Sequence, residues 1–232
     1  MTDRKNSSDL IKAGAIVGTV HSPESLRAAR RIGAGALDFL ELRVDHFAGD
    51  PAPLLKAAAA FSLPSIVTVR HPAEGGKHAL NFSRRRGLYA EFLPHAAMID
   101  VELRSIRALT NVVQEARARG VRIIVSFHDF HATPSLARLR EITQRAVAAG
   151  ADVVKIAARA DTCGELQRLL ALFTTKSPRP LSVMAMGRFG KVSRLLFAQA
   201  GSVLNYAYLG TANASGQWSA REFRARLREL AS

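Results

Sequence analysis

The stretch Asp152-Val-Val-Lys155-Ile-Ala-Ala158 is a short apolar run with one lysine near its centre. It follows a helix-like segment that ends at Gly150, which is typical of a buried strand in an alternating fold. A buried ammonium is costly, and a neutral lysine amine in a dry pocket is the nucleophile that forms an imine with a carbonyl compound. The structural alternative is a lysine that reaches solvent or pairs with Asp152.

The same strand-then-helix unit recurs along the whole chain. Predicted strands cover residues 15–20, 37–44, 65–70, 97–103, 121–127, 152–157, 181–186 and 202–206. Predicted helices begin at Ser22-Pro23 and then cover residues 50–61, 83–93, 105–119, 135–149, 164–173, 191–200 and 219–230. Strands that alternate with helices indicate a parallel sheet.

Eight such units in 232 residues favour a closed (β/α)₈ barrel, or TIM barrel, of the α/β class. An open doubly wound sheet is the alternative, but no glycine-rich dinucleotide fingerprint and no phosphate-binding loop pattern follows any predicted strand. We therefore predict one barrel domain over residues 1–232, with residues 1–13 as a flexible or polar lead-in.

The composition narrows the classes of function. The formal net charge is +14, but the arginines are spread over helices without a basic tail or an aromatic-interleaved patch, which argues against specific nucleic-acid binding. No apolar run is long enough to span a membrane, and the first ten residues lack the apolar stretch of a signal peptide. The single cysteine, Cys163, is typical of a reducing compartment, so we expect a cytoplasmic protein.

Charged residues cluster where the predicted strands end. In a barrel, these ends meet at the face that carries the chemistry. The clusters are Glu41/Arg43/Asp45, Arg70, Asp100/Glu102, His128 and Lys155. An internal salt-bridge network accounts for Asp45, Asp100 and Glu102. It does not account for a lysine and a histidine on adjacent strand ends, where His128 is suited to proton transfer near neutral pH. No cluster has the ligand spacing of a zinc site, so we expect no metal.

The motifs in their order resemble those of the type I 3-dehydroquinate dehydratase (type I dehydroquinase) family. The matching stretches run from about Ile16 to Gln217. They are Glu41-Leu-Arg-Val-Asp-His46, Arg70 with Glu74-Gly-Gly76, Ile99-Asp-Val-Glu-Leu103, Ser126-Phe-His-Asp-Phe-His-Ala-Thr-Pro134, Gly150-Ala-Asp-Val-Val-Lys-Ile-Ala157, Met184-Ala-Met-Gly187, Ser193-Arg194 and Gly216-Gln217.

The resemblance implies dehydration of 3-dehydroquinate to 3-dehydroshikimate in the shikimate pathway, without a cofactor, by a homodimer. It implies that Lys155 forms the imine, that His128 is the general acid and base, and that Glu74 orients His128. Arg194 would bind the substrate carboxylate, while Glu41, Arg43 and Arg70 hold ring hydroxyls and order the site. The resemblance adds Asn213 and Gln217, in a lid over residues 210–216 and just after it, as substrate-binding residues, and Met184, Met186 and Tyr206 as pocket lining.

The sequence departs from the family pattern at four places. Gly18 or Thr19 stands where a first-strand serine is usual, Asn213 replaces a lid serine, Ser215 replaces a proline, and Tyr206 replaces a phenylalanine. These changes concern substrate clamping and lid closure. Two further interpretations stay open at this point: a Schiff-base aldolase on a similar barrel, and a barrel that binds dehydroquinate without turnover.

Overall fold

The structure is a computed structural model that describes residues 11–33, 35–174 and 176–231. Eight parallel strands form one sheet in the order β7-β6-β5-β4-β3-β2-β1-β8. The strands are β1 Ala15–Val20, β2 Phe39–Arg43, β3 Ser65–Thr68, β4 Ala96–Glu102, β5 Arg122–Asp129, β6 Val153–Arg159, β7 Leu181–Met186 and β8 Leu204–Tyr208. The helices are α1 Pro23–Arg31, α2 Ala52–Ala58, α3 Phe82–Phe92, α4 Thr110–Ala118, α5 Leu136–Ala148, α6 Cys163–Leu170, α7 Gly190–Gln199 and α8 Ala220–Glu229.

The sheet closes into a nearly complete barrel. β7 and β8, at its two ends, are joined by the Val203 amide, which donates to the Leu181 carbonyl at 3.0 Å, and by Ser182 Oγ, which donates to the Leu204 carbonyl at 2.5 Å. The predicted (β/α)₈ class is therefore confirmed. The predicted lead-in, residues 1–13, lies outside the described residues up to position 10. None of the helices within the described ranges is both long and apolar enough to cross a membrane.

Local signals in the sequence fix most helix ends. Ser22 caps α1, as predicted, and its side chain accepts a hydrogen bond from the Ser25 amide at 3.1 Å. Gly120 and Gly150 follow α4 and α5 with φ of +72° and +86°, a conformation that glycine adopts without a steric penalty. The predicted start of α4 at Ser105 is wrong. Residues 103–109 form a 3₁₀ turn and further turns, and the buried Ser105 hydroxyl accepts a hydrogen bond from Arg85.

The interior of the barrel has an apolar layer below a polar one. Six interior apolar side chains pack together near the bottom of their strands: Val17, Phe39, Ile66, Met98, Ile124 and Val153. Two residues further along each strand, on the same face, are Thr19, Glu41, Thr68, Asp100, Ser126 and Lys155. The strand period of two therefore places a ring of buried polar groups directly above the apolar layer.

Candidate active site

A cavity of about 240 Å³ opens at the carboxyl ends of the strands, where barrel enzymes carry their chemistry. All twelve residues that the sequence predicts for the site line this cavity. They are Glu41, Arg43, Arg70, Glu74, His128, Lys155, Met184, Met186, Arg194, Tyr206, Asn213 and Gln217. Thr19, Gly75, Phe130, Ala157 and Ala214 complete the lining.

Lys155 is buried at the floor of the cavity. Its Nζ donates to Asp100 Oδ2 at 2.9 Å and to Glu41 Oε1 at 3.5 Å. The Tyr206 ring covers the nitrogen, with its centroid 3.7 Å away. Lys155 does not pair with Asp152, because the Asp152 carboxylate instead accepts a hydrogen bond from the Ile123 amide at 2.8 Å. Lys155 thus neither reaches solvent nor pairs within its own strand.

Asp100 belongs to a larger buried network. Arg70 holds it with two hydrogen bonds of 2.8 and 3.1 Å and also contacts Glu102 Oε1 at 3.2 Å and Ser126 Oγ at 2.7 Å. Burial alone would raise the pKa of Asp100, but the charges of Arg70 and Lys155 outweigh it and bring that pKa well below the usual range. The predicted internal salt-bridge network is confirmed for Asp100 and Glu102, and for Asp45, which pairs with Arg43 at 2.9 Å.

His128 and Glu74 form a second hydrogen-bonded pair in the cavity. His128 Nδ1 lies 2.9 Å from Glu74 Oε2, and the His128 backbone amide donates to the same oxygen at 3.0 Å. Burial, together with the positive charges of Arg70 and Lys155, lowers the pKa of His128 well below its usual range. The imidazole is therefore neutral. With the Nδ1 proton donated to Glu74, Nε2 keeps a free lone pair that can accept a proton.

Glu74 itself is an unusual carboxyl group. Burial raises its pKa to about 7. A raised carboxyl pKa makes the protonated form favourable in the folded state. The contribution of Glu74 to stability is therefore full below the unfolded pKa of about 4.5 and is lost as the pH rises towards 7.

Replacement Glu74→Gln should consequently stabilise the protein at alkaline pH more than at acid pH. We expect the gain in the free energy of unfolding, relative to the original chain, to be about 2 kcal/mol larger at pH 8 than at pH 5. Denaturant unfolding at the two pH values measures it. Glu91→Gln removes an exposed carboxylate on α3 and should show no such difference. An equal effect of Glu74→Gln at both pH values would contradict the raised pKa.

Arg194, on α7, is a buried guanidinium surrounded by carbonyl groups. Its Nη1 donates to the carbonyls of Ala185, Gly190 and Gly216 at 2.7–2.9 Å, and its Nε to that of Tyr206 at 3.2 Å. Burial lowers its pKa to about 10, so the group stays charged at neutral pH. Among the described residues, no carboxylate lies within salt-bridge distance of it. A buried cation that lacks a counter-ion and lines a cavity is suited to pair with an anionic ligand.

The segment that the sequence marks as a lid covers one side of the cavity. Gln217 Oε1 accepts from the amides of Asn213 and Ala214 at 3.1 and 3.3 Å, which folds the segment on itself. Gly187 N donates to Ser215 Oγ at 3.1 Å. Gly216 packs against Gly190 so closely that a Cβ on Gly216 would lie 2.5 Å from the Gly190 Cα. The lid therefore rests on the start of α7, beside Arg194.

The structure resolves the ambiguity between Gly18 and Thr19. A Cβ on Gly18 would lie 2.5 Å from a Leu37 methyl group, so this position faces the outer core. Thr19 lines the cavity, and its hydroxyl donates to Glu41 Oε2 at 3.1 Å. Two other departures leave polar atoms buried without a partner among the described residues, namely Tyr206 Oη and Asn213 Oδ1.

Two residues that contact the predicted site residues were not predicted from the sequence. Thr68 Oγ1 donates to Glu41 Oε1 at 3.2 Å, so Glu41 is held by two threonine hydroxyls. Phe130 stacks on His128, with ring centroids 6.4 Å apart and an interplanar angle of 15°. The strand period of two, which relates Phe130 to His128, could have indicated it. Within the described ranges, no group of three or more His, Cys, Asp or Glu side chains is arranged to hold a metal ion.

Comparison with known proteins agrees with this geometry. The family model described as Type I 3-dehydroquinase matches residues 17–232. The 3-dehydroquinate dehydratase of Thermococcus gammatolerans is 35% identical, with 90% of this chain and 95% of the relative covered. The corresponding protein of Methanocella arvoryzae is 34% identical, with 87% and 90% covered.

Solved structures show the same similarity. A type I 3-dehydroquinate dehydratase from Clostridium difficile, described with covalently modified comenic acid, has a TM-score of 0.83 and 26% identity, with 93% of this chain and 91% of that chain covered. The 3-dehydroquinate dehydratase of Aquifex aeolicus has a TM-score of 0.78 and 28% identity, with 94% and 99% covered.

Proposed function

The chain belongs to the type I 3-dehydroquinase family, and from this premise we propose that it dehydrates 3-dehydroquinate to 3-dehydroshikimate through an imine on Lys155. One observation carries the proposal. A single cavity is lined by a buried lysine, by a histidine whose Nδ1 lies 2.9 Å from Glu74 Oε2, and by a buried guanidinium that has no carboxylate partner among the described residues. These groups match the ketone, the acidic C–H bond and the carboxylate of this substrate.

The first step is attack of the Lys155 amine on the substrate ketone. The amine gives up a proton, adds to the carbonyl carbon, and the oxygen leaves as water, so that a positively charged iminium forms. Asp100 and Glu41, within 3.5 Å of Nζ, and the face of the Tyr206 ring stabilise positive charge at this nitrogen. The iminium withdraws electrons and makes the adjacent C–H bond acidic.

His128 then transfers the proton that the elimination requires. Its Nε2 takes the proton from the carbon next to the iminium, and the same nitrogen protonates the departing hydroxyl group, which leaves as water. Glu74 fixes the tautomer by accepting from Nδ1 and stabilises the imidazolium that forms between the two transfers. Water finally hydrolyses the iminium, which frees 3-dehydroshikimate and restores the Lys155 amine.

The remaining residues hold the substrate. Arg194 binds the carboxylate, and its bond to the Gly216 carbonyl links this binding to the lid, with Asn213 and Gln217 at the cavity. Glu41 and Arg43, which line the cavity, would bind ring hydroxyls. Arg70 has its hydrogen bonds with Asp100, Glu102 and Ser126, which supports an ordering role. Met184 and Met186 supply apolar lining that adapts to the ring.

The function is tested by adding 3-dehydroquinate to the purified protein and following the conjugated enone of the product by its ultraviolet absorbance. Borohydride reduction during turnover, followed by intact mass and peptide mapping, should place one reduced ligand on Lys155. Turnover with the adduct supports the complete proposal. Turnover without an adduct would exclude the covalent mechanism. If the folded protein gives no turnover and no adduct, 3-dehydroquinate is excluded as the substrate.

Replacement Arg194→Gln is expected to weaken substrate binding. A charge-assisted hydrogen bond to a carboxylate is lost, so KM for 3-dehydroquinate should rise by about 10- to 100-fold while kcat falls less. Steady-state kinetics measures both constants. The control Arg188→Gln removes the same charge from an exposed position on the preceding turn and should leave KM unchanged. If both variants change KM equally, Arg194 acts only through long-range charge.

The biological setting extends the proposal. We assign the reaction to the shikimate pathway of aromatic amino acid biosynthesis, in the cytoplasm, with the single cysteine as the supporting feature. We also propose a homodimer, as the family resemblance implies. Two exposed apolar side chains one turn apart on α7, Val192 and Leu196, offer a surface for such a contact. Sedimentation analysis distinguishes the dimer from a monomer.

A further inference from the structure

The sequence contains one run of three arginines, Arg84-Arg85-Arg86, and the structure gives its members different environments. Arg84 and Arg86 are exposed on α3. Arg85, between them, is fully buried, and it is the largest of the fully buried side chains. An arginine is rarely buried unless its charge is paired, so the partners of Arg85 indicate its role.

Each of the three nitrogens of the Arg85 guanidinium donates at least one hydrogen bond. Its Nη2 donates to Glu102 Oε2 at 2.6 Å and to the Val69 carbonyl at 2.7 Å, while Nε donates to the same carbonyl at 2.9 Å. Its Nη1 donates to Ser105 Oγ at 2.9 Å. Val69 directly precedes Arg70, just after the end of β3, so Arg85 binds both the backbone next to Arg70 and the carboxylate that Arg70 binds.

A continuous chain of opposite charges leads from Arg85 to the nucleophile. The Glu102 carboxylate bridges Arg85 and Arg70, since its other oxygen lies 3.2 Å from Arg70 Nη1. Arg70 in turn holds Asp100 at 2.8 Å, and Asp100 holds Lys155 at 2.9 Å. Each link is a buried, charge-assisted contact, which fixes the position of its neighbours more strongly than a contact in water would.

We propose that Arg85 is a positioning residue for the reaction, which acts from α3 through Glu102, Arg70 and Asp100 to hold Lys155 ready for attack on the substrate ketone. This inference rests on the proposed function, because it assumes an imine on Lys155. Arg85 touches neither the cavity nor the substrate. Without it, Glu102 draws Arg70 towards itself, and Asp100 is left to pair with the Lys155 ammonium alone.

That change opposes imine formation, because the amine must lose a proton before it can attack. Charged and titratable groups approach Lys155 from several strands. They are Asp100 on β4, Glu41 on β2, Arg70 beyond β3, His128 on β5 and Tyr206 on β8. Of these groups, only Arg70 contacts Glu102, and only Asp100 contacts both Arg70 and Lys155. Loss of Arg85 should therefore raise the pH at which trapping is half-maximal.

The experiment measures, as a function of pH, the rate at which the imine forms at saturating 3-dehydroquinate, with borohydride used to trap it. Arg85→Met should slow imine formation by about 10- to 100-fold, with KM within about threefold of the original value. The matched control Arg86→Met removes an exposed charge one position along and should trap at the original rate. Arg85→Lys keeps the charge but not the planar fork, and should recover part of the rate.

A charge-balanced variant separates positioning from simple destabilisation. In Arg85→Met with Glu102→Gln, the carboxylate that draws Arg70 away is gone, so the pH midpoint of trapping should return towards that of the original protein. The inference is overturned if Arg85→Met, or Arg85→Lys where the methionine variant does not fold, traps at the rate and pH midpoint of Arg86→Met. If the original protein forms no adduct, the proposed function fails before any variant is compared.

Discussion

Lys155→Ala is expected to lower kcat for dehydration of 3-dehydroquinate by at least about 10⁴-fold and to abolish the borohydride-trapped adduct. The amine is the only group in the mechanism that can bond to the ketone, and without the iminium the C–H bond beside the ketone is far less acidic. Arg194 and His128 remain in place, so residual binding of the substrate should persist. Intact mass after reduction, together with steady-state kinetics, measures both effects.

Removal of Lys155 also leaves Asp100 with Arg70 as its one cationic partner and takes from Glu41 the cation that pairs with it, so stability should fall by about 3–5 kcal/mol. Circular dichroism at the assay temperature must therefore show that the variant is folded. Lys77→Ala is the matched control, because Lys77 is an exposed lysine on the segment after Glu74 and should keep both turnover and the adduct. A folded Lys155→Ala variant that retains comparable activity would exclude the imine mechanism.

The residues that line the cavity could be predicted from the sequence, because the position of each one depends on the local geometry of a single strand. Each strand carries its own functional side chain, and the period of two decides which residue enters the barrel. The inward positions of Lys155 within β6 and of His128 near the end of β5 therefore follow from the sequence. The eight predicted strand-then-helix units are confirmed for the same reason, since each depends on signals within a few residues, such as Ser22 at the start of α1.

The partners of these side chains could not be found in the same way, because they depend on distances across the barrel. Lys155 pairs with Asp100 on β4, 55 residues away in the sequence. From the sequence, only the neighbouring Asp152 was considered as an ion-pair partner of Lys155. Likewise, Arg85 is the middle one of three successive arginines, and only the packing of α3 on the sheet shows that its side chain is buried. The choice between Gly18 and Thr19 required the orientation of β1.

His128→Ala is expected to lower kcat by about 10²- to 10⁴-fold, the usual contribution of a positioned general acid and base. Its effect should differ in kind from that of Lys155→Ala. The amine is still present, so an imine still forms, although more slowly because no group shuttles protons during its formation. The elimination that follows has neither a base for the C–H proton nor an acid for the departing hydroxyl. The imine of the intact substrate should therefore accumulate.

Mass spectrometry distinguishes this result directly, because the reduced adduct of the substrate is heavier than that of the product by one water. The original protein should yield adduct that includes the dehydrated form, whereas His128→Ala should yield the hydrated form alone. His131→Ala is the matched control, because His131 is exposed three residues further along and should leave the pattern unchanged. If His128→Ala forms the dehydrated adduct at the rate of the original protein, a residue other than His128 transfers the proton. The nearest remaining candidate would then be Glu74, whose carboxyl pKa of about 7 also suits a proton carrier.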